Sequence, residues 1–360
     1  MPVAHSASDI SSADQAAVQA VLAENFPGTG PRVDDLERSL ALRTTRNFCS
    51  AVQSGFQGLV LALRSLDLPP MSHVALPALT CSSVASAILN AGLVPSLCDI
   101  RDDLTIDPAT VSSSCRAVVA PHAYGAPADV DALQKLGLPW IEDCATSPAT
   151  RVGRKLAGSF GTLSVFSFAG TKYLTGGNGG AVLCDEQGIA ARIRDLLSID
   201  FLDCSPSWKH NQPLPFPGKM SNLQAALVSS QLTRVDSFLK HRASLASLYL
   251  DHLRGCPGLI LPANLVGHSW YRFVVRTSAP ALPLVRQMQA GGWDIRDSVN
   301  PWLHRHYLSA PAERASLPLA QALEGHIISL PIHLQVSETD ASALARALRA
   351  ALEHSEKVSL

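Results

Sequence analysis

Several features that would direct the reading elsewhere are missing from this 360-residue chain. It has no block of Lys and Arg, and its formal net charge is −1. Nucleic acid is therefore not an expected partner, because affinity for it rests on neutralising phosphates. No run of about 20 residues stays apolar enough to cross a bilayer, and residues 1–15 are small and polar rather than basic and then apolar. Neither a membrane anchor nor a secretory leader is expected. The eight cysteines never form a Cys-x-x-Cys pair, so no metal site is predicted, and a chain this large needs no disulfide framework. Reduced thiols in a cytoplasm are the expectation. There is no internal repeat and no low-complexity tract.

What is present is apolar. Hydrophobic residues make up 47% and charged ones only 16%, enough to bury a large core and to build more than one domain. From about residue 46 to residue 185, short apolar runs alternate with helical stretches. Candidate strands are 47–52, 73–76, 94–99, 117–120, 139–142, 162–167 and 180–184, and candidate helices are 58–64, 83–89 and 130–136. This alternation predicts an α/β fold with a mostly parallel sheet covered on both faces. Residues 199–220 are proline-rich and irregular, the pattern of a segment that covers a site or meets a partner. A long helical pattern follows from 221 to about 253. Beyond Pro257 to Pro262, strands at 271–275 and 327–331 and helices at 283–291 and 337–353 predict a smaller α+β domain.

The chemistry-bearing phrase is Phe166-Ser-Phe-Ala-Gly-Thr-Lys172, closely followed by Gly176-Gly-Asn-Gly-Gly180. Upstream, Glu142-Asp143 closes an apolar segment, so a lysine and a carboxylate are carried near strand ends of one sheet, where ligands of open α/β sheets collect. Pyridoxal 5′-phosphate chemistry asks for this pair. A lysine amine forms a Schiff base with the aldehyde, and a carboxylate keeps the pyridine nitrogen protonated so that the ring can accept electrons.

Taken with Val119-Ala-Pro-His-Ala-Tyr-Gly-Ala-Pro-Ala-Asp129, Ile141-Glu-Asp-Cys-Ala145 and Met220-Ser-Asn-Leu-Gln-Ala-Ala226, these phrases resemble the DegT/StrS family of nucleotide-sugar aminotransferases, which are fold-type I pyridoxal-phosphate enzymes. The resemblance runs from Gly28-Thr-Gly-Pro-Arg-Val33 to Ser329-Leu-Pro-Ile332. It implies a large domain with a mostly parallel seven-stranded sheet between helices and a smaller C-terminal α+β domain. The expected boundaries are an N-terminal arm or helix over 1–30, the large cofactor-binding domain over 31–245 and the small domain over 246–360. It also implies a homodimer whose active site is completed across the interface, and transfer of an amino group from glutamate or glutamine to a keto group on a sugar or a related metabolite.

By the same resemblance Lys172 carries the Schiff base and then shuttles the substrate proton, Asp143 pairs with the pyridine nitrogen, and Ser167 with the amides of Gly55 and Phe56 takes the phosphate. Thr146 stands where Gln or His commonly contacts the ring oxygen. Cys81 replaces the aromatic residue that stacks on the ring. Phe56 replaces a threonine, and Pro217 with Lys219 replaces the Asn and Arg that reach the neighbouring subunit's phosphate. His304, in Pro301-Trp-Leu-His304, resembles a substrate-side motif. His122, lacking a Cys or His partner at ligand spacing, is expected to be packed and hydrogen-bonded beside the pocket. The altered pocket leaves two alternatives: a pyridoxal-phosphate enzyme of another reaction class, such as elimination or bond formation, or a non-catalytic scaffold.

Overall fold

The computed structural model describes residues 3–198, 217–263, 265–306 and 316–359. Its centre is a seven-stranded sheet in the order β1 (Phe48–Val52), β9 (Gly180–Cys184), β8 (Leu163–Ser167), β5 (Trp140–Asp143), β4 (Cys115–Pro121), β2 (His73–Pro77) and β3 (Val94–Cys98). Six strands point the same way, and β9 alone runs antiparallel to its neighbours β1 and β8. A short hairpin, β6 (Arg151–Val152) with β7 (Lys155–Leu156), interrupts the chain between β5 and β8.

Alternation of side chains along each strand divides the apolar residues between two faces. Val74, Leu76, Val119, Ile141, Leu163 and Val165 pack with the helices Gly55–Ser65, Ser82–Asn90 and Gln187–Leu197. Ala75, Val118 and Ala120 instead join the helix Val130–Lys135, while Phe166, Ala181 and Leu183 meet the helices Pro31–Thr44 and Asn222–Leu232. Burial on both faces is why the strands read as near-continuous apolar runs.

A second sheet of three antiparallel strands, β10 (Leu259–Ile260), β11 (Phe273–Thr277) and β12 (Ile327–Leu330), has its own core with the helices Ala281–Ala290 and Glu338–Ser359. The helix Val235–Leu253 belongs to both bodies. Its Val235 and Phe238 pack in the core of the large sheet, and its Leu245, Tyr249 and Leu253 pack in that of the small one.

The helical pattern expected over 221–253 is two helices, Asn222–Leu232 and Val235–Leu253. Neither Gly nor Pro marks the break. Near it, Gln231 turns its amide to the backbone of Thr175, accepting from the N–H at 2.9 Å and donating to the carbonyl at 3.1 Å. The strand expected from 271 begins at Phe273. Before it, Trp270 is left-handed, with φ 56°. The proline-rich stretch over 199–216 lies outside the described residues; from Pro217 the chain runs beside β1, with Gln53 N–H donating to the Gly218 carbonyl at 2.7 Å and Lys219 bridged to Val52.

Candidate active site

The carboxyl ends of β1, β2, β4, β5 and β8 share one edge of the large sheet, and a cavity of about 390 Å³ opens there. Lys172, Asp143, Ser167, Gly55, Phe56, Cys81 and Thr146 all line it. Seven residues spread over more than a hundred positions of sequence thus meet because their strands end together.

Asp143 ends β5, held between β4 and β8 by ladder pairing with Pro121 and Val165. Its Oδ1 accepts from the Ala145 N–H at 2.9 Å. Burial raises its pKa, against the opposing pull of that hydrogen bond and of the Lys172 charge. A carboxylate desolvated in this way favours a cationic partner. Beside it, Glu142 points to the other face. Although burial opposes its charge, the His122 hydrogen bond at 2.8 Å and the N–H groups of Gly158, Phe160 and Gly161 hold it down to about 2.

His122 accepts from the Ala128 N–H on Nδ1 at 3.0 Å, which leaves the proton on Nε2 to face Glu142. His122, Glu142 and Cys144 lie close enough together to suggest a metal cluster. Both ring nitrogens and the carboxylate are already engaged, however, and burial pushes the Cys144 thiol up, away from the thiolate a metal needs. This is a hydrogen-bonded strut behind Asp143. Thr146 is tied into it, its hydroxyl donating to the His122 carbonyl at 3.0 Å.

Ser54 caps the helix Gly55–Ser65, its side chain accepting from the Gln57 N–H at 3.2 Å. Gly55 lies so close to Ser167 that a Cβ placed on it would stand 2.6 Å from the serine Cβ and 2.9 Å from its Oγ. The first turn of that helix and the Ser167 hydroxyl therefore form one cup. The first N–H groups of a helix have no intrahelical acceptors, and with the helix dipole they suit an anion.

Lys172 is reached through a tight loop after β8, with its N–H donating to the Ala169 carbonyl at 2.9 Å. Its charge acts on Asp143, and its Nζ lies 5.6 Å from the centre of the Tyr271 ring. Cys81 precedes the helix Ser82–Asn90 without capping it by its side chain, and its sulfur accepts from the Ser83 hydroxyl at 2.9 Å.

Two of the nine candidates are not brought to the cavity. Lys219 does not line it; it sits against β1, where its charge reaches Glu37. His304 does not line it either. Its Nε2 meets Glu324 at 3.1 Å, in a short helix that docks through a hydrogen bond from the Leu303 N–H to the Ala78 carbonyl at 2.8 Å.

Conversely, Tyr271, Tyr124, Asn178 and Asn300 line the cavity although sequence reasoning assigned them nothing. Tyr271 was hidden in an apolar run read as a strand, and Asn178 in the glycine run. Tyr124 had a local signal, the Tyr-Gly pair. Both members are left-handed, with φ 56° and 97°, and Gly125 could not carry a Cβ, which would fall 2.7 Å from the Ser269 Oγ.

The match to known proteins is as extensive as the geometry suggests. Residues 8–349 fit the model of the DegT/DnrJ/EryC1/StrS aminotransferase family. The chain belongs to this family. It is 29% identical over 362 residues to the spore coat polysaccharide biosynthesis protein SpsC of Bacillus subtilis, covering 92% of each chain. Among solved structures it superposes on DesV of S. venezuelae, determined in complex with a ketimine intermediate, with a TM-score of 0.85, 29% identity and 94% of each chain covered. It also superposes on the aminotransferase TlmJ of Streptoalloteichus hindustanus with a TM-score of 0.89 and 26% identity over 98% of this chain and 100% of that one. As a DegT/DnrJ/EryC1/StrS aminotransferase the chain is an enzyme, and its architecture is fold type I. Among the described residues no helix is long and apolar enough to cross a membrane.

Proposed function

We propose that this protein is a pyridoxal-phosphate aminotransferase that moves an amino group from glutamate or glutamine to the keto group of a nucleotide-linked sugar or a related metabolite. The observation that carries the reading is the convergence of Lys172, Asp143, Ser167 and the Gly55 helix turn on one cavity at the sheet edge. Relatives named for polysaccharide biosynthesis and aminotransfer support the substrate class.

The residues present fit the cofactor. A buried carboxylate whose pKa burial raises suits a protonated ring nitrogen. The Gly55–Ser167 approach, too tight for a Cβ, suits a phosphate received by main-chain and hydroxyl donors. When bound, pyridoxal phosphate supplies an aldehyde and an electron-accepting ring. The chain supplies the rest. Lys172 would hold the aldehyde and, as a positioned general base and acid, would move the proton at the substrate carbon. Asp143 would hold the ring nitrogen in its charged form. Thr146 and Cys81 would bound the ring, the Phe56 amide would join that of Gly55 at the phosphate, and Asn300 would bound the acceptor's approach.

We further read the protein as a cytoplasmic homodimer, with Lys219 offered to the partner's site; its position off its own cavity supports this. The test is to supply glutamate or glutamine with candidate keto-sugars and to assay the aminated product. Amino transfer by the wild type that disappears in Lys172→Ala is the expected result. Reconstituted protein that eliminates or condenses without transferring an amino group would place it in another reaction class.

A further inference from the structure

Four consecutive residues of the lysine loop are held by groups from distant parts of the chain. The Ser8 hydroxyl donates to the Gly170 carbonyl. The Tyr271 hydroxyl donates to the Thr171 carbonyl at 3.3 Å. The Tyr271 ring lies 5.6 Å from Lys172 Nζ, and the Arg242 guanidinium lies 4.5 Å from the centre of the Tyr173 ring.

These holding groups are themselves connected. Arg242 Nη1 donates to the carbonyls of Trp270, Tyr271 and Ile332 at 3.1, 3.2 and 2.5 Å. Arg272 covers the Tyr271 ring at 4.5 Å and donates to the Ser6 hydroxyl at 2.7 Å. On either side of Tyr271 the main chain is pinned to the loop after His122. The Ser269 N–H donates to the Gly125 carbonyl at 2.9 Å, and the Arg272 N–H donates to the Tyr124 carbonyl at 3.2 Å. Tyr271 is 5% exposed, so little room remains for its ring to turn away.

The charges point the same way. Arg242 and Arg272 are both buried, and among the described residues neither forms an ion pair with a carboxylate. The seam is cation-rich, and the aromatic face is the group within it that attracts an ammonium. Burial would raise the Tyr271 pKa, but the Lys172 and Arg272 charges beside it bring it below its ordinary value.

We propose that Tyr271 is a positioning residue for Lys172. Its hydroxyl fixes the backbone immediately before the lysine, its ring holds the amine over the cavity, and the seam behind it lets the small sheet's packing set the geometry of amino transfer. The inference rests on reading Lys172 as the reacting amine. Tyr271 exchanges no proton with the substrate in this scheme.

The test uses the full chain and two variants. Tyr271→Leu removes the ring; Tyr271→Phe keeps the ring and removes the tether to Thr171. In protein freed of cofactor, trinitrobenzenesulfonate labelling of Lys172 is followed against pH by peptide mass spectrometry, with exposed Lys155 as the internal reference. Because the ring lies against the amine at 5.6 Å, Tyr271→Leu is expected to raise the Lys172 labelling curve severalfold across the pH range and to leave the Lys155 curve unmoved. Tyr271→Phe is expected to keep the Lys172 curve. In the holoenzyme it is expected to slow the half-reaction with the amino donor about tenfold at unchanged donor KM, a loss of alignment rather than of binding.

Coincident labelling curves for wild type and folded Tyr271→Leu overturn the proposal, and so does a Tyr271→Phe holoenzyme with the wild-type rate. If Tyr271→Leu does not fold, the near-isosteric Phe variant decides alone. Retained amino transfer in Lys172→Ala would defeat the functional reading instead, while the labelling arm would still report whether Tyr271 governs Lys172.

Discussion

Asp143 and Ser167 reach the cavity from strand ends of fixed register, Asp143 paired on both sides with Pro121 and Val165 and Ser167 paired on one side with Gly180. Tyr271, Val299 and Asn300 reach the same cavity from outside the large sheet, along segments placed by contacts such as the bridge between Leu79 and Trp302. One wall is built by ladder hydrogen bonds and the other by docking. Groups that need angstrom placement are best carried on rigid elements, and groups that select among ligands are commonly carried on loops. On the proposed reading the labour would divide accordingly, with the sheet edge holding the cofactor and the docked wall aligning the lysine and meeting the acceptor.

Substitutions on the two walls should therefore fail differently. The largest effect is expected from Asp143→Asn, which cannot keep a ring nitrogen charged: the donor half-reaction should slow by about 10²-fold or more, read by stopped-flow absorbance. The same variant should be more stable than wild type when free of cofactor. Because burial raises the Asp143 pKa, the fold favours the protonated acid; that stability is present below the unfolded value and is lost as pH rises through the raised one. Thermal melts of cofactor-free protein at neutral pH check this, and equal melting temperatures would contradict it.

Gly55→Ala comes next, because its Cβ would lie 2.6 Å from that of Ser167. Forcing the pair apart should cost about 1–3 kcal/mol of stability and weaken retention of the cofactor, both measurable by melting and by equilibrium dialysis. On the docked wall, Asn300→Ala should leave the donor half-reaction near wild type while raising the acceptor KM roughly fivefold, the scale of one lost hydrogen bond. An equal loss in both half-reactions would erase the proposed difference between the walls.

The smallest effect lies off the cavity. Burial raises Glu37 from its ordinary 4.5 to about 7, while its Oε1 accepts from the Ala51 N–H at 2.7 Å. The stability tied to its protonated form is complete below about 4.5 and fades as pH rises through about 7. Glu37→Gln should flatten that part of the stability profile in denaturant titrations without changing amino transfer.

The same contrast explains what could be read from the sequence. Lys172 was legible from the phrase that follows β8; Asp143 and Ser167 were legible because apolar runs of strand length end at them, and a strand end is a place that can be counted to. The strands at 73–76 and 180–184 were legible for the same reason. Tyr271 was not, because its role depends on a left-handed Trp270 and on the pinning of Ser269 and Arg272 to Gly125 and Tyr124, contacts between residues more than a hundred positions apart. The helices Pro31–Thr44 and Gln187–Leu197 were passed over although Pro31 opens the first. The break after Leu232 left no glycine or proline to mark it. His304 matched a motif by spacing, yet spacing alone does not bring a side chain to the cavity; Lys219 was expected at the neighbouring subunit's phosphate rather than at its own chain's cavity.

The most direct measurement of the central claim is the absorption spectrum of the purified protein with pyridoxal phosphate, before and after glutamate, for wild type and Lys172→Ala. A Schiff-base band in the wild type that converts to the pyridoxamine form on adding glutamate, and that the variant neither forms through its own chain nor converts at an appreciable rate, is the predicted result. A wild type that binds no cofactor, or a Lys172→Ala protein that converts it as fast as wild type, would contradict the account.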